Sequence, residues 1–183
     1  MLKYLKTSFP FMRKDSVPML YLKIQNIGRF TRLLFSEDAF DRFLLHDASF
    51  ETHYTTIIEG RKNESFFTEE EKETALKDSF VGWSVIRPAA FKLLQGNRLP
   101  VSFKVVLVTS SESTEKMVER SGFTGCPVSS LLLSFVYREQ SLFLRTGVSY
   151  SGFSMDRSLE KYWDESVLKF LASKDIEYED PEV

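Results

Sequence analysis

The chain has 183 residues, of which 43% are hydrophobic and 27% charged, and its formal net charge is −2. This length and composition are typical of one globular domain whose core is large enough to fold without a disulfide or a structural metal ion. The single cysteine, Cys126, excludes an internal disulfide and a cysteine-cluster metal site, and the net negative charge disfavours a dedicated nucleic-acid binder.

Hydropathy indicates where in the cell the protein is located, and the distribution of charge distinguishes the two ends of the chain. No apolar run approaches the roughly 18 residues that span a bilayer, and the N-terminus lacks the apolar run of a secretory signal, so we expect a cytoplasmic protein with no membrane partner. The first 35 residues are rich in Lys and Arg, whereas residues 150–183 are rich in Asp and Glu. Either the two ends lie together and attract each other, or the basic end meets an acidic partner.

The N-terminal third is predicted to contain an extension, a strand and a helix. Residues 1–18 are interrupted by prolines and develop no hydrophobic period, so we predict an irregular basic extension. Apolar and polar residues then alternate over 20–25, as in a half-buried strand. Ser36, followed by two acidic residues, resembles a helix start, with Phe40 and Phe43 at helical spacing behind it. Residues 27–34 are a second candidate helix.

The middle of the chain alternates between strand and helix signals. Residues 48–58 have the period of two of a half-buried strand. Thr68 and Glu71 form a capping-box pattern for a short helix, and Ser84 is the predicted cap of a helix that ends near Gly96. A strand over 101–108 and a helix over 112–121 follow.

The last third predicts a hairpin and a long helix. Residues 128–137 and 141–150 are two strands joined by a three-residue turn, and an amphipathic helix capped by Asp156 begins near Arg157. Residues 174–183 form an acidic tail that we expect to be frayed. Residues 19–173 are therefore predicted to be a single α+β domain, with about five mostly antiparallel strands in one sheet and helices packed largely on one face.

Three stretches of the chain resemble those of a known family. They are FDRFLL at 40–45, WSVIRP at 83–88 and FSMDRSLEKYWD at 153–164. They are similar to stretches of a small uncharacterised family, a domain of unknown function found as single-domain proteins of anaerobic Gram-positive bacteria. The resemblance covers about residues 19–173. It implies that residues 1–18 are an extension, and it implies no activity, cofactor or functional residue.

Glu51 and His53 are candidate ligand-binding residues, because they are two positions apart on the polar side of the predicted strand. A histidine beside a carboxylate can act as a base or a ligand, although a surface histidine among polar neighbours has the same pattern. His46 is assigned a structural role. Two histidines without a ligand spacing predict no metal site, and no catalytic residue or cofactor is assigned.

Arg145 is the third candidate ligand-binding residue. It lies on a strand face that otherwise carries the small residues Gly147 and Ser149, which leaves space beside it. If Arg145, Lys104 and His53 share the polar face of the sheet, a small anion can bind among them. Because strand order is not readable from the sequence, this grouping is a hypothesis.

Two further features have competing interpretations. Cys126, in a Gly-Cys-Pro stretch, is interpreted as a small buried hydrophobic residue rather than a nucleophile. Phe66 and Phe67 either form an exposed protein contact or fold back as a hydrophobic staple ahead of Thr68.

The pattern as a whole supports two hypotheses about function. The first is a non-enzymatic binding or regulatory module that acts through protein contacts or self-association, since the chain has many aromatic residues and no catalytic signature. The alternative is an enzyme or a protein that binds a small anionic ligand on the polar face of the sheet. Convergent polar groups in a pocket favour the alternative, and a flat two-fold apolar surface favours the first.

Overall fold

The computed structural model describes residues 20–181. These residues contain seven strands, five α-helices and one short 3₁₀ helix (Glu64–Phe66). In chain order they are β1 (Tyr21–Ile24), α1 (Ile27–Phe35), β2 (Leu44–Glu51), β3 (Thr55–Glu59), α2 (Glu69–Ala75), α3 (Trp83–Leu94), β4 (Ser102–Val108), α4 (Ser111–Ser121), β5 (Val128–Arg138), β6 (Ser141–Tyr150), α5 (Ser158–Ser173) and β7 (Tyr178–Glu179). The strands form one sheet in the order β3-β2-β4-β5-β6-β1-β7, and each neighbouring pair is antiparallel.

The predicted α+β class is confirmed, but the prediction of about five strands is wrong. The segment 48–58, predicted as one strand, is a hairpin whose turn lies at Thr52–Tyr54. The Thr52 backbone N–H and its hydroxyl both donate to the Tyr54 carbonyl, at 2.9 and 3.2 Å, which closes the turn without a glycine or proline. The seventh strand, β7, comes from the acidic end that we expected to be frayed.

The prediction that Ser36 begins a helix is also wrong. Ser36 follows the last residue of α1, and its backbone N–H donates to the Arg32 carbonyl at 2.9 Å. Residues 36–43 then form turns. In one of them the N–H of Phe43 donates to the Phe40 carbonyl at 2.9 Å. Both of these phenylalanines are buried. The helical spacing of the apolar residues thus comes from consecutive turns that face the core.

The remaining elements agree with the sequence to within a few residues. The capping box of α2 is present, with the Thr68 backbone N–H donating to the Glu71 carboxylate at 2.9 Å. The helix α3 begins at Trp83, and its cap is Gly82, two residues before the predicted cap Ser84. The hairpin of β5 and β6 and the long helix α5 are confirmed.

The hydrophobic core lies between the helices and one face of the sheet. Alternate residues of the central strands join buried residues of α1, α3 and α5 in one cluster that is rich in phenylalanine. Phe30 of α1, Phe40 and Phe135 of β5 contact one another, with ring centroids 5.3 to 5.9 Å apart. The indole N–H of Trp83 donates to the Leu34 carbonyl at 3.0 Å, which ties α3 to α1 within this core.

The two ends of the described chain lie side by side. The strand β7 pairs with β1, and Lys23 Nζ lies 2.9 Å from Glu179 Oε1. A basic residue of the N-terminal region therefore pairs with an acidic residue of the C-terminal region, as the first interpretation of the charge asymmetry expected. The predicted extension over residues 1–18 lies outside the described residues.

Candidate functional site

The face of the sheet that is turned away from the core carries several charged side chains near its centre. Successive side chains of a strand point to opposite faces. On β4, Phe103 and Val105 belong to the core, so Lys104 points to the other face. The same alternation places Ser134 of β5 and Arg145 of β6 on that face, which we call the open face.

The strand register brings these residues together. Ser134 is directly opposite Arg145, and Val136, two residues further along β5, is directly opposite Lys104. Arg138 follows on the same face at the end of β5. A concavity of about 190 Å³ lies among these side chains. Its lining residues are Tyr21, Lys104, Ser134, Val136, Arg138, Phe143 and Arg145.

Arg145 is held by an aromatic pair rather than by a carboxylate. Its Cζ lies 4.3 Å from the centroid of the Tyr21 ring, within the range of a cation–π contact. Tyr21 in turn stacks on Phe143, with centroids 5.5 Å apart and planes 27° apart. Arg145 makes no ion pair with any described residue. Its guanidinium is therefore positioned but keeps its charge available to a ligand.

Lys104 is partly neutralised by Asp47 of β2. The Nζ atom lies 3.2 Å from Asp47 Oδ1, while His46 Nδ1 lies 2.8 Å from Asp47 Oδ2. Burial alone would raise the pKa of Asp47, but the hydrogen bond with His46 and the charge of Lys104 lower it overall. Asp47 is therefore ionised near neutral pH. Glu51 is a second carboxylate of β2 on the open face, in register with Ser102 and Arg138. Neither carboxylate lines the concavity, whereas the three cations Lys104, Arg138 and Arg145 do. The concavity is electropositive.

The structure places the other two predicted residues away from this concavity. Glu51 ends β2 and accepts a hydrogen bond from the Ser102 hydroxyl at 2.8 Å. His53 is exposed in the β2–β3 turn, with its ring edge-on to Tyr54 at 4.5 Å. The prediction that Glu51 and His53 lie on one strand is wrong, because β2 ends at Glu51 and His53 lies in the turn that follows. Lys104 and Arg145 do share the open face.

Sequence reasoning missed Ser134 and Arg138. The period of two along β5, combined with the hairpin to β6, was the signal that could have found them. Glu139 and Gln140 both have positive φ angles, of 50° and 57°, as in the two-residue turns that join antiparallel strands. With that turn, Ser134 falls opposite Arg145 and Arg138 opposite Ser141. The three-residue turn predicted from the sequence did not give this register.

Other candidate residues have ordinary structural surroundings. Ser110 caps α4 by accepting from the Ser113 backbone N–H at 3.3 Å. Cys126 is a free thiol of intermediate exposure. Phe66 and Phe67 meet edge to face at 5.5 Å, and the Phe66 side chain is 82% exposed.

Within residues 20–181, no group of three or more His, Cys, Asp or Glu side chains is arranged to hold a metal ion. In the same part of the chain, no helix is long and apolar enough to cross a membrane.

Comparison with known proteins places the chain in a family. A family model described as “Family of unknown function (DUF5721)” matches residues 32–179. The chain belongs to this family. The match confirms an uncharacterised domain, and it includes every residue that lines the concavity except Tyr21. Neither the curated proteins nor the solved structures contain a match to the chain.

Proposed function

We propose that this DUF5721 protein is a binding module that takes a small anionic ligand in the concavity on the open face of its sheet. The observation that carries the proposal is the convergence of Lys104, Arg138 and Arg145 around the buried Ser134, with no described carboxylate paired to either arginine. A volume of about 190 Å³ suits a phosphate or a small carboxylate. Larger ligands usually occupy clefts of about 300–1,000 Å³.

The physical basis of the proposal is preorganisation. The aromatic pair under Arg145 reduces the entropy that the side chain would lose when it binds a ligand. A guanidinium can donate two parallel hydrogen bonds to one phosphate or carboxylate group, which is the strong geometry for anion recognition. The Ser134 hydroxyl supplies a further donor at the floor. Glu51 and His53 are not needed for binding of this kind.

Thermal unfolding in the presence of anions tests the proposal. We would compare phosphate, pyrophosphate and citrate with chloride at matched ionic strength. At ten times the dissociation constant, a ligand that binds only the folded state adds about 1.4 kcal/mol of stability. That corresponds to a rise in Tm of roughly 3–6 °C for a chain of this size.

Arg145→Ala should abolish the anion-dependent rise in Tm, whatever it does to the Tm without ligand. The matched control is Arg120→Ala, because Arg120 is exposed on α4 and lies outside the concavity. An equal rise in both variants, or no rise with any of the anions, would show that the concavity is not an anion site.

Protein contact is the second candidate function, and exposed apolar side chains favour it. Phe66, Phe153 and Met155 are 82%, 87% and 85% exposed. Large exposed apolar residues are common at sites of protein association. We expect sedimentation velocity to show a concentration-dependent dimer that is lost in Phe153→Ser. A monomer at all concentrations up to about 100 μM would exclude self-association of useful strength.

A further inference from the structure

A larger concavity, the α1–α3 groove, lies on the helical side of the molecule. It runs between α1, α3 and the loop ahead of β4, and its volume is about 570 Å³. That volume is in the range of small-molecule sites. The groove is separate from the concavity of the proposed function, because it adjoins the core face of the sheet rather than the open face.

Three buried aromatic rings form the floor of the groove. Phe35 of α1 meets Phe103 of β4 edge to face, with centroids 5.3 Å apart and planes 87° apart. Phe103 stacks on Tyr137 of β5 at 5.3 Å and 15°. All three residues are packed into the main core, so the floor is rigid and apolar before any ligand arrives.

The mouth of the groove is open and partly apolar. Leu99 and Phe91 line it and are 79% and 39% exposed. Gly28 of α1 also lines it, and a Cβ atom added at Gly28 would meet nothing within 4 Å apart from its chain neighbours and the backbone of its own helix. A glycine inside a helix weakens the helix relative to alanine, and here no crowding requires one. The effect of Gly28 is to leave the mouth unobstructed.

The groove carries one formal charge, and it is positive. Among the described lining residues, Arg32 is the only charged one. Its guanidinium makes no ion pair with any residue in the described part of the chain. The complementary ligand therefore has an apolar body that covers the aromatic floor and one anionic group that reaches Arg32.

We propose that the α1–α3 groove binds a small amphipathic anion, of which a medium-chain carboxylate is the simplest example. The aromatic floor removes the hydrocarbon from water, and Arg32 pairs with the carboxylate at the rim. A ligand of this class also covers Leu99 and Phe91, which are otherwise exposed to solvent.

Isothermal titration of the full chain with decanoate, below its micelle concentration, tests the proposal. We expect one decanoate per chain, and an affinity that rises about three- to fourfold for each added CH₂ from hexanoate to decanoate. Arg32→Gln should weaken decanoate binding about tenfold, since it removes a charge-assisted hydrogen bond. Decan-1-ol and decylamine, which lack the anionic group, should bind at least about tenfold more weakly than decanoate.

Two variants probe the mouth without touching the core. Gly28→Leu should fill it and abolish binding, while the helix should be no less stable than before. Leu99→Ser, at a mostly exposed position, should weaken binding by removing one apolar wall. Arg120→Ala, at an exposed position of α4 that lines neither concavity, is the matched control and should leave decanoate binding unchanged.

Several results would overturn the proposal. Equal affinity of decanoate for Gly28→Leu and the parent chain would place the ligand elsewhere, and equal affinity for decanol would remove the role of the anion. A dimer that Gly28→Leu dissociates would assign the groove to a second copy of the chain. Because the anion test on the open face uses Arg145→Ala, failure of either proposal leaves the other standing.

Discussion

The ion pair between Arg87 and Asp41 joins α3 to the turns that follow α1, and its loss should destabilise the fold by about 2 kcal/mol. Arg87 of α3 donates from Nε and Nη2 to the two Asp41 carboxylate oxygens at 2.7 and 2.8 Å, and from Nη1 to the Ser36 carbonyl at 3.3 Å. The hydrogen bond to Asp41 raises the pKa of Arg87 above its usual value. Asp41 and Ser36 both belong to the turns that follow α1.

The magnitude follows from the partial burial of this pair. The Arg87 and Asp41 side chains are 19% and 25% exposed. Fully exposed ion pairs contribute about 0.2–1 kcal/mol, whereas removing one partner of a buried pair costs about 3–5 kcal/mol. A bidentate pair between these limits should contribute about 2 kcal/mol, which corresponds to a Tm lower by roughly 4–8 °C for a chain of this length.

The assay is a double-mutant cycle by urea unfolding, with Arg87→Met, Asp41→Asn and the double variant. Methionine keeps most of the apolar stem of Arg87, so the cycle reports mainly the polar contacts. We expect a coupling energy of about 1–2 kcal/mol. Arg120→Met, at an exposed position of α4, should change the free energy of unfolding by less than about 0.5 kcal/mol. A coupling energy near zero would refute the reasoning, even if the single variants were destabilised.

Two further predictions concern partly buried polar groups near α5. Burial, together with the Glu160 carboxylate, raises the pKa of Asp164. The hydrogen bond that Asp164 accepts from the Thr146 hydroxyl at 2.6 Å lowers this pKa, but by less. Because the folded pKa is above the unfolded one, the protein loses stability as pH rises through the folded pKa and Asp164 becomes charged. Asp164→Asn should therefore leave the free energy of unfolding unchanged or raise it at pH 7, and it should give no such increase near pH 3. Asp164→Ala should lower the free energy of unfolding, measured with urea, by about 1 kcal/mol. Burial, and next the charge of Glu160, raise the pKa of Tyr150 to about 12. Absorbance at 295 nm should show one late-ionising tyrosine that Tyr150→Phe removes. Within residues 20–181 the buried Tyr150 hydroxyl has no hydrogen-bond partner, so this variant should not destabilise the protein at pH 7, and a clear loss of stability would contradict the prediction.

Local patterns in the sequence predicted the elements whose signals are complete within a few residues. The capping box at Thr68 and Glu71, the hairpin of β5 and β6 and the apolar stripe of α5 were all predicted and confirmed. Each depends on backbone groups and side chains that are close along the chain. The sequence therefore carried enough information for these elements without knowledge of the rest of the fold.

The wrong predictions came from patterns that two conformations share. Phe40 and Phe43 have helical spacing but lie in consecutive turns, because either conformation can turn both rings toward one side. The alternation over 48–58 continues through the turn at Thr52–Tyr54, so the pattern did not mark the break. The short strand β7 exists only because β1 offers it an edge to pair with.

The sequence by itself determined the α+β class and, in β1, β4 and β6, which residues share a face, including the face of Arg145, because the period of a strand is a local property. Only the tertiary structure decided which residues meet. Lys104 and Arg145 converge because β5 lies between their strands in a particular register, and His53 is left at a distant turn. The α1–α3 groove likewise exists only where two helices and a strand pack without filling the space between them. Strand order and helix packing depend on burying the apolar face as a whole, which no short stretch of sequence specifies.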